Sequence, residues 1–458
     1  NLASFLRFSK ALFVFPSQPT ISRICIDDQN PLLAPITPKE VEDVIDKQTS
    51  RAASTSGLSP FDLKQLKDLI SNPLSCVFNT CLKSCDFIHE WLESSMFFLH
   101  KKGNKADPNN YRSINVQNPF LKCFSAILAK RLAAYSEERG LLNDFQFGFR
   151  ARRSTFAAAT LLNEIVNSRL KKGQKTFAWF VDFKKAFDSV DRTLLFEKLQ
   201  KLSIPYQFCK TLFNIFNNTR IHIKAGDLLS SPFLSNIGTP QGDSIAAILF
   251  TLFLSDIERK LPSLGPMLNG VRITAIMYAD DICLLTESYE DMQNLLIALK
   301  SYCDDNKLIV NVEKTKVMIF HRGSCKPFTF TYGGLELEVV KSFIYLGFNF
   351  PVQVTFTPHL LGQISKARSR IGQLFSCLPL MSLPLMTALQ IYEIYITPLF
   401  MYGLPLWLSN CSNSSLQSLD SLFTKFLKRY LFLKPWVNNL YLYLYLFAEV
   451  ELVEFNCG

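Results

Sequence analysis

The sequence has no clean run of apolar residues long enough to span a bilayer. The longest candidate, residues 378–408, is interrupted by Gln390, Glu393 and several prolines, and reads as buried helices. Its 12 cysteines form no paired framework, which excludes a disulfide-stapled secreted module and suits a reducing compartment. Residues 409–458 hold only Cys411 and Cys457 and no histidine, so they contain no zinc knuckle. Cys81, Cys85 and His89 recur every fourth residue, and a helix would put them on one face. The stretch from Leu74 to Leu92 nevertheless reads as an ordinary apolar helix in which small thiols pack. There is no internal repeat and no low-complexity tract. The chain begins at Asn1, and its first 16 residues are apolar but broken by Arg7 and Lys10, which does not make a signal peptide. It reads as a fragment of a longer open reading frame.

What is present is a large aromatic core. The chain has 458 residues, 48% hydrophobic, with 40 phenylalanines, enough for two or three subdomains. A net charge of +10 suits a polyanionic partner. The most telling stretch is Ile276-Met277-Tyr278-Ala279-Asp280-Asp281-Ile282-Cys283-Leu284-Leu285. Two short apolar runs favour strands, and the polar break between them reads as a tight hairpin turn. Two adjacent carboxylates at a buried hairpin tip are costly unless a cation neutralises them, and hard oxygen ligands suit Mg²⁺ or Mn²⁺. A solvated Asp-Asp turn is the plainer reading of that dipeptide alone. Upstream, the run Phe177-Ala178-Trp179-Phe180-Val181 ends in Asp182, an acid at the end of a buried strand. Between the two lies Gly238-Thr239-Pro240-Gln241-Gly242-Asp243-Ser244, a loop whose backbone can approach a flat substrate closely.

The order of these stretches resembles the palm of a reverse transcriptase with a Tyr-Ala-Asp-Asp catalytic turn, most similar to LINE-type non-LTR retrotransposons. Tyr111-Arg112-Ser113-Ile114, Gln146-Phe147-Gly148-Phe149-Arg150 with Arg153-Ser154-Thr155, Val310-Asn311-Val312-Glu313-Lys314-Thr315-Lys316 and Tyr345-Leu346-Gly347 resemble the flanking motifs. The match runs from about Ile36 to about Trp407. It implies an α+β fold with right-hand polymerase architecture: fingers, an antiparallel-sheet palm and a helical thumb. Residues 1–35 would be a linker or the tail of a missing upstream domain, 36–175 helical fingers with a short basic hairpin, and 176–350 the palm. Fingers and palm together would make a reverse transcriptase domain over about 90–350, with the thumb at 351–408 and 409–458 unassigned. Helices are expected from Thr37, over 118–135, from near Ser154, over 192–202 capped by Asp191, and over 244–261, 289–306 and 360–375.

The resemblance also implies the chemistry. A primer 3′-hydroxyl attacks the α-phosphate of a deoxynucleoside triphosphate, and two Mg²⁺ ions (Mn²⁺ being the substitute) stand roughly 3.5–4 Å apart. Asp182 and Asp280 would bridge them, the Phe183 carbonyl would complete the nucleotide-side site, and Asp281 would be the third acid. Lys314 would protonate or neutralise the departing pyrophosphate. Lys102 and Arg112 would grip the triphosphate, with Lys101 able to replace Lys102. Phe187, five residues after Asp182, resembles a steric gate against the ribose 2′-hydroxyl; a core phenylalanine is its other reading. Gln241 and Gly242 would line the template–nucleotide pair. Tyr278 would contact the primer end, and Tyr345, Leu346 and Gly347 would form the primer grip. Arg150 and Arg153 would meet the template backbone, and Lys366 and Arg370 would track the duplex. The partners are then an RNA template, a DNA primer or nicked target DNA, and no membrane; the family works in nucleus and cytoplasm. Ser56-Gly57, His89, Ser113 and Ala246-Ala247 depart from the family pattern. A catalytically decayed or domesticated palm-fold nucleic-acid-binding protein is therefore the competing function.

Overall fold

The computed structural model describes residues 30–240, 242–408, 411–440 and 442. The described residues fall into two compact units, one within 30–158, 177–317 and 328–338, the other within 159–176, 318–327 and 339–442. In the first unit the sequence expected to be a linker is packed from Asn30 onward. Leu32 is fully buried, and Arg131 pairs with Glu40 at 2.8 Å while also donating to the carbonyls of Leu32, Ala34 and Pro35. The helix Pro38–Asp46 begins in a capping box: the Thr37 hydroxyl accepts from the Glu40 N–H, and the Glu40 carboxylate accepts from the Thr37 N–H.

A first sheet runs in the order Tyr111–Gln117, Glu93–His100, Arg220–Ala225, Leu228–Leu229, with Phe233–Leu234 also pairing with Arg220–Ala225. Its first pair is antiparallel with Leu99 opposite Arg112, so the basic turn at 101–103 sits where the chain reverses toward Arg112. The second sheet carries the acids. Its strands lie in the order Phe330–Tyr332, Leu335–Val340, Lys316–Phe320, Thr176–Val181, Asp281–Thr286, Ala275–Tyr278. Every residue of Thr176–Val181 is buried, which is why the strand reads as an unbroken apolar run rather than an alternating one. Asp281 pairs with Tyr278 and Ile282 with Val181, so Ala279-Asp280 is a two-residue hairpin loop beside the end of the Asp182 strand. Ala279 has φ +58°, a positive value that tight hairpin turns need to follow strand twist.

Helices Arg192–Lys201, Ala246–Phe253 and Tyr289–Asp305 belong to the same unit. Asp191 caps the first, accepting from the Leu194 N–H. The helix expected over 244–261 is instead two, Ala246–Phe253 and Ile257–Lys260. The break is where Lys198 reaches across: its ammonium donates to the Phe253 carbonyl and to Asp256, both at 2.7 Å, and the Tyr302 hydroxyl also bonds Asp256. The Cys81–His89 helix face does not exist, because Cys85 caps the helix Lys67–Ser84 at φ +62° and His89 opens a separate 3₁₀ turn.

In the second unit Ser342–Tyr345 and Phe348–Pro351 form a hairpin whose turn residues Leu346 and Gly347 both have positive φ. The Tyr402 hydroxyl donates to the Leu346 carbonyl at 2.6 Å, and its ring stacks on Phe348 at 4.8 Å. The unit's long helices are Thr357–Cys377 and Asn413–Tyr430. The region 378–408 is helical as expected, but Ile394 and Met401 are exposed rather than buried. No described helix is long and apolar enough to cross a membrane.

Candidate active site

A cavity of about 940 Å³ opens in the first unit and collects most of the chemistry-bearing residues. It is lined by Asp182, Phe183, Phe187 and Asp188 from the central strand and the chain that follows, by Asp280 from the hairpin tip, and by Gly242 and Asp243 from the glycine loop. Lys101, Arg112, Lys184, Lys185 and Lys314 supply cations around it.

Asp182 is held through its backbone. Its N–H donates to the Thr315 hydroxyl at 3.1 Å and its carbonyl accepts from Asn311 at 2.7 Å, while the Lys184 N–H donates to Ile309. This extended pairing, with Phe183 opposite Val310, turns the backbone N–H and C=O of Phe183 away from residues 309–311. The Asp182 Oδ2 is buried without a hydrogen-bond partner, and the nearest cation, the Lys314 ammonium, stands 3.8 Å away. An orphaned carboxylate oxygen in a cavity wall fits a cation.

The hairpin tip carries the same signature. Burial pushes the Asp280 carboxyl above its ordinary value, and Asp182 pushes it further while Arg112 and Lys101 pull it back. The Asp281 carboxyl is driven up to about 6 by desolvation, then by Asp280 and Asp182. The Asp280 and Asp281 carboxyls, each raised by burial and by the acids beside it, fit a divalent cation, whose positive charge removes that repulsion. Among the described residues no three His, Cys, Asp or Glu side chains are close enough to hold a metal by themselves, and Asp281 does not line the cavity. An open set of ligands of this kind leaves part of a divalent cation's shell to waters and substrate phosphates.

Of the two lysines left open by the sequence, Lys101 lines the cavity beside Arg112 and Lys102 does not. Partial burial, Arg112 and Lys314 lower the Lys101 ammonium while Asp188 and Asp182 raise it, which places it among the site's charges. Phe187 stacks on Phe250 at 4.5 Å, is only half-buried, and presents the remainder to the cavity. Gly242 has φ +111°, and a Cβ there would meet the Asn115 carbonyl oxygen at 2.5 Å. Only glycine lets the loop lie against the strand Tyr111–Gln117 this closely. Gln241 lies outside the described residues. Tyr278 is half-buried at the end of its strand. Arg150 is occupied inside the fold: it pairs with Glu137 at 2.6 Å and donates to the carbonyls of Asn143 and Gln146. Arg153 lies over the Phe147 ring at 5.2 Å. In the second unit Tyr345 is buried, Lys366 is exposed, and Arg370 donates to the Tyr395 carbonyl.

Three features were missed by the sequence reading. Phe149, half exposed at φ +58°, reaches the cavity and meets Phe187 edge-on at 6.2 Å. Asp243 is buried behind the loop, where desolvation raises its carboxyl against bonds from the Gln117 amide, the Ile245 N–H and Ser125. Arg192 is 2% exposed and has no acid partner among its bonds. It donates to the carbonyls of Phe216, Ser235, Ile237 and Gly238 and to the Asn217 side chain. The signal available for Arg192 was its place directly after a helix-capping aspartate, which said nothing about the carbonyls ahead of it.

Comparison with known proteins adds the lineage. The family described as "Reverse transcriptase (RNA-dependent DNA polymerase)" matches residues 99–350. A probable RNA-directed DNA polymerase from transposon BS of Drosophila melanogaster is 27% identical over 387 residues, 81% of this chain and 42% of the relative. The RNA-directed DNA polymerase from mobile element jockey of the same fly is 25% identical over 87% of this chain and 44% of its own length. A Pol polyprotein from type-1 retrotransposable element R2 of Nasonia vitripennis is 24% identical over 59% of this chain and 26% of its own length. The chain thus spans less than half the length of these relatives. With the family match covering more than half of the chain and these relatives along its length, the chain belongs to the reverse transcriptase family, in its LINE-type, non-LTR branch.

Proposed function

We propose that this chain is an RNA-directed DNA polymerase that extends a primer 3′ end on an RNA template, using deoxynucleoside triphosphates and two Mg²⁺ ions. The observation that carries the reading is the presence of Asp182 and Asp280 in one cavity wall, with an Asp182 carboxylate oxygen buried without a hydrogen-bond partner. Asp182, Asp280 and the Phe183 carbonyl would hold the metals, with Asp281 beside them. When bound, such ions polarise the α-phosphate, lower the pKa of the attacking hydroxyl and neutralise the leaving pyrophosphate.

The chain's own groups do the rest. Lys101 and Arg112 bind the triphosphate, a guanidinium being suited to grip phosphate oxygens in pairs. Lys314, 3.8 Å from Asp182, is placed to neutralise or protonate the pyrophosphate. Phe187, stacked on Phe250, closes the space beneath the sugar and excludes a 2′-hydroxyl. Gly242 leaves room for the template–nucleotide pair. Tyr278 contacts the primer end, the turn Tyr345-Leu346-Gly347 grips the primer, and Arg153, Lys366 and Arg370 meet nucleic-acid backbone. Backbone rather than base recognition suits an enzyme that copies any sequence.

Primer extension on an RNA template with Mg²⁺ tests the reading. The wild-type chain should add deoxynucleotides and Asp280→Ala should not. Nucleic-acid binding without extension by the wild type would return the decayed or domesticated alternative.

A further inference from the structure

The catalytic turn is strained, and a side chain from elsewhere in the chain holds it. Ala279 adopts φ +58°, a conformation that an alanine adopts only at a cost. The turn cannot relax by moving outward, because the chain at 145–148 lies along it. The Phe147 N–H donates to the Met277 carbonyl at 2.7 Å, and the Met277 N–H donates to Phe145 at 2.9 Å. Gly148 closes the contact: a Cβ there would run into the backbone of Tyr278 and Ala279. Within this seam sits Gln146, 2% exposed. Its Oε1 accepts from the Ala279 N–H at 2.9 Å and from the Gly148 N–H at 2.8 Å, and its amide nitrogen faces the Ala279 carbonyl at 3.5 Å.

We propose that Gln146 is a positioning residue for the catalytic acids: its side-chain amide locks Ala279 in the left-handed conformation and so fixes the direction of the Asp280 and Asp281 carboxylates. The neighbouring acids repel one another, so in the free chain the tip has reason to open. A donor–acceptor clamp on the residue immediately before Asp280 opposes that. Gln146 touches neither acid, and so acts on them only through the Ala279 backbone. The inference rests on the polymerase reading for its catalytic consequence, but the clamp itself is observable without activity.

Hydrogen exchange of the Ala279 amide reads the clamp directly. In the wild type this N–H is protected by Gln146. In Gln146→Met it should exchange at least tenfold faster, while the Met277 amide, bonded to Phe145, stays protected. Gln146→Glu keeps an acceptor oxygen and should keep Ala279 protected, which guards against a methionine variant that merely folds poorly. In primer extension Gln146→Met should lower kcat on the order of 100-fold, the scale of a displaced reacting group, with KM for the nucleotide nearly unchanged. Adding Ala279→Gly, which accepts positive φ without strain, should recover about tenfold of that loss. Unchanged Ala279 exchange in Gln146→Met overturns the proposal whether or not the chain polymerises. A kcat loss that glycine at 279 does not relieve, with protection lost equally at Met277, assigns Gln146 a general packing role and overturns it as well. A wild-type chain that shows the clamp but no extension refutes the polymerase reading alone.

Discussion

Asp281→Asn should make the metal-free chain more stable at neutral pH. In the folded chain its carboxyl is pushed from 3.8 to about 6. A displacement of that size corresponds to about 3 kcal/mol against the charged form. Asp281 is exposed as a residue, so solvent screening leaves about 1 kcal/mol of it. The direction follows from proton linkage. The folded state holds this proton up to about pH 6, whereas the unfolded chain releases it near 3.8. Between these values the folded state binds more protons, so this carboxyl's contribution to stability falls as pH rises and is least favourable above 6. Urea unfolding of wild type and variant at pH 7.5 and pH 5, in EDTA, measures it. The variant should be more stable by about 1 kcal/mol at the higher pH, with the gap shrinking at the lower one. Millimolar Mg²⁺ should then stabilise the wild type more than the variant, because the variant has already lost the repulsion that the cation relieves. A variant less stable than wild type at pH 7.5, or a gap indifferent to pH, would refute the claim that these acids are held apart from their comfort by the fold.

Two further outcomes concern the nucleotide. Lys101→Ala should raise KM for deoxynucleotides about tenfold or more, the worth of one charge-assisted contact, whereas Lys102→Ala should change it less than about twofold; steady-state extension with each variant separates them. Phe187→Ala should raise ribonucleotide incorporation relative to deoxynucleotide and cost about 2 kcal/mol of stability through the lost stack on Phe250; unchanged sugar discrimination would reduce Phe187 to a packing residue.

The acids were readable in the sequence because burial leaves a mark there. An aspartate that ends an unbroken apolar strand, and a pair that interrupts two others, are conspicuous against their neighbours. Caps were readable for a similar reason: Thr37 and Asp191 each act on an N–H group three residues away. What escaped depended on contacts distant in sequence or on a single residue of register. The choice between Lys101 and Lys102 turns on which side of a strand end each occupies, and adjacent residues face opposite ways. The helix break after Phe253 has no glycine or proline to announce it; Lys198, more than 50 residues earlier in the chain, marks the site. Arg150 read as a free cation because Glu137 lies 13 residues away on another segment. Gln146 was visible as part of a motif, but its partner is a backbone amide 133 residues further on.

Arg192 has a consequence for how this family can vary. Its guanidinium, drawn down to about 9 by burial yet still charged at neutral pH, replaces a counter-ion with a ring of carbonyl dipoles from residues 216 to 238. A lysine could not reach that many of them in one plane. The stretch ahead of the glycine loop is therefore fastened at several points to one side chain. Adding or deleting a residue between Ser235 and Gly238 would strand oxygens on one side and an unaccompanied cation on the other. Length changes among relatives should accordingly fall in the hairpin at 225–234, outside the fastened span.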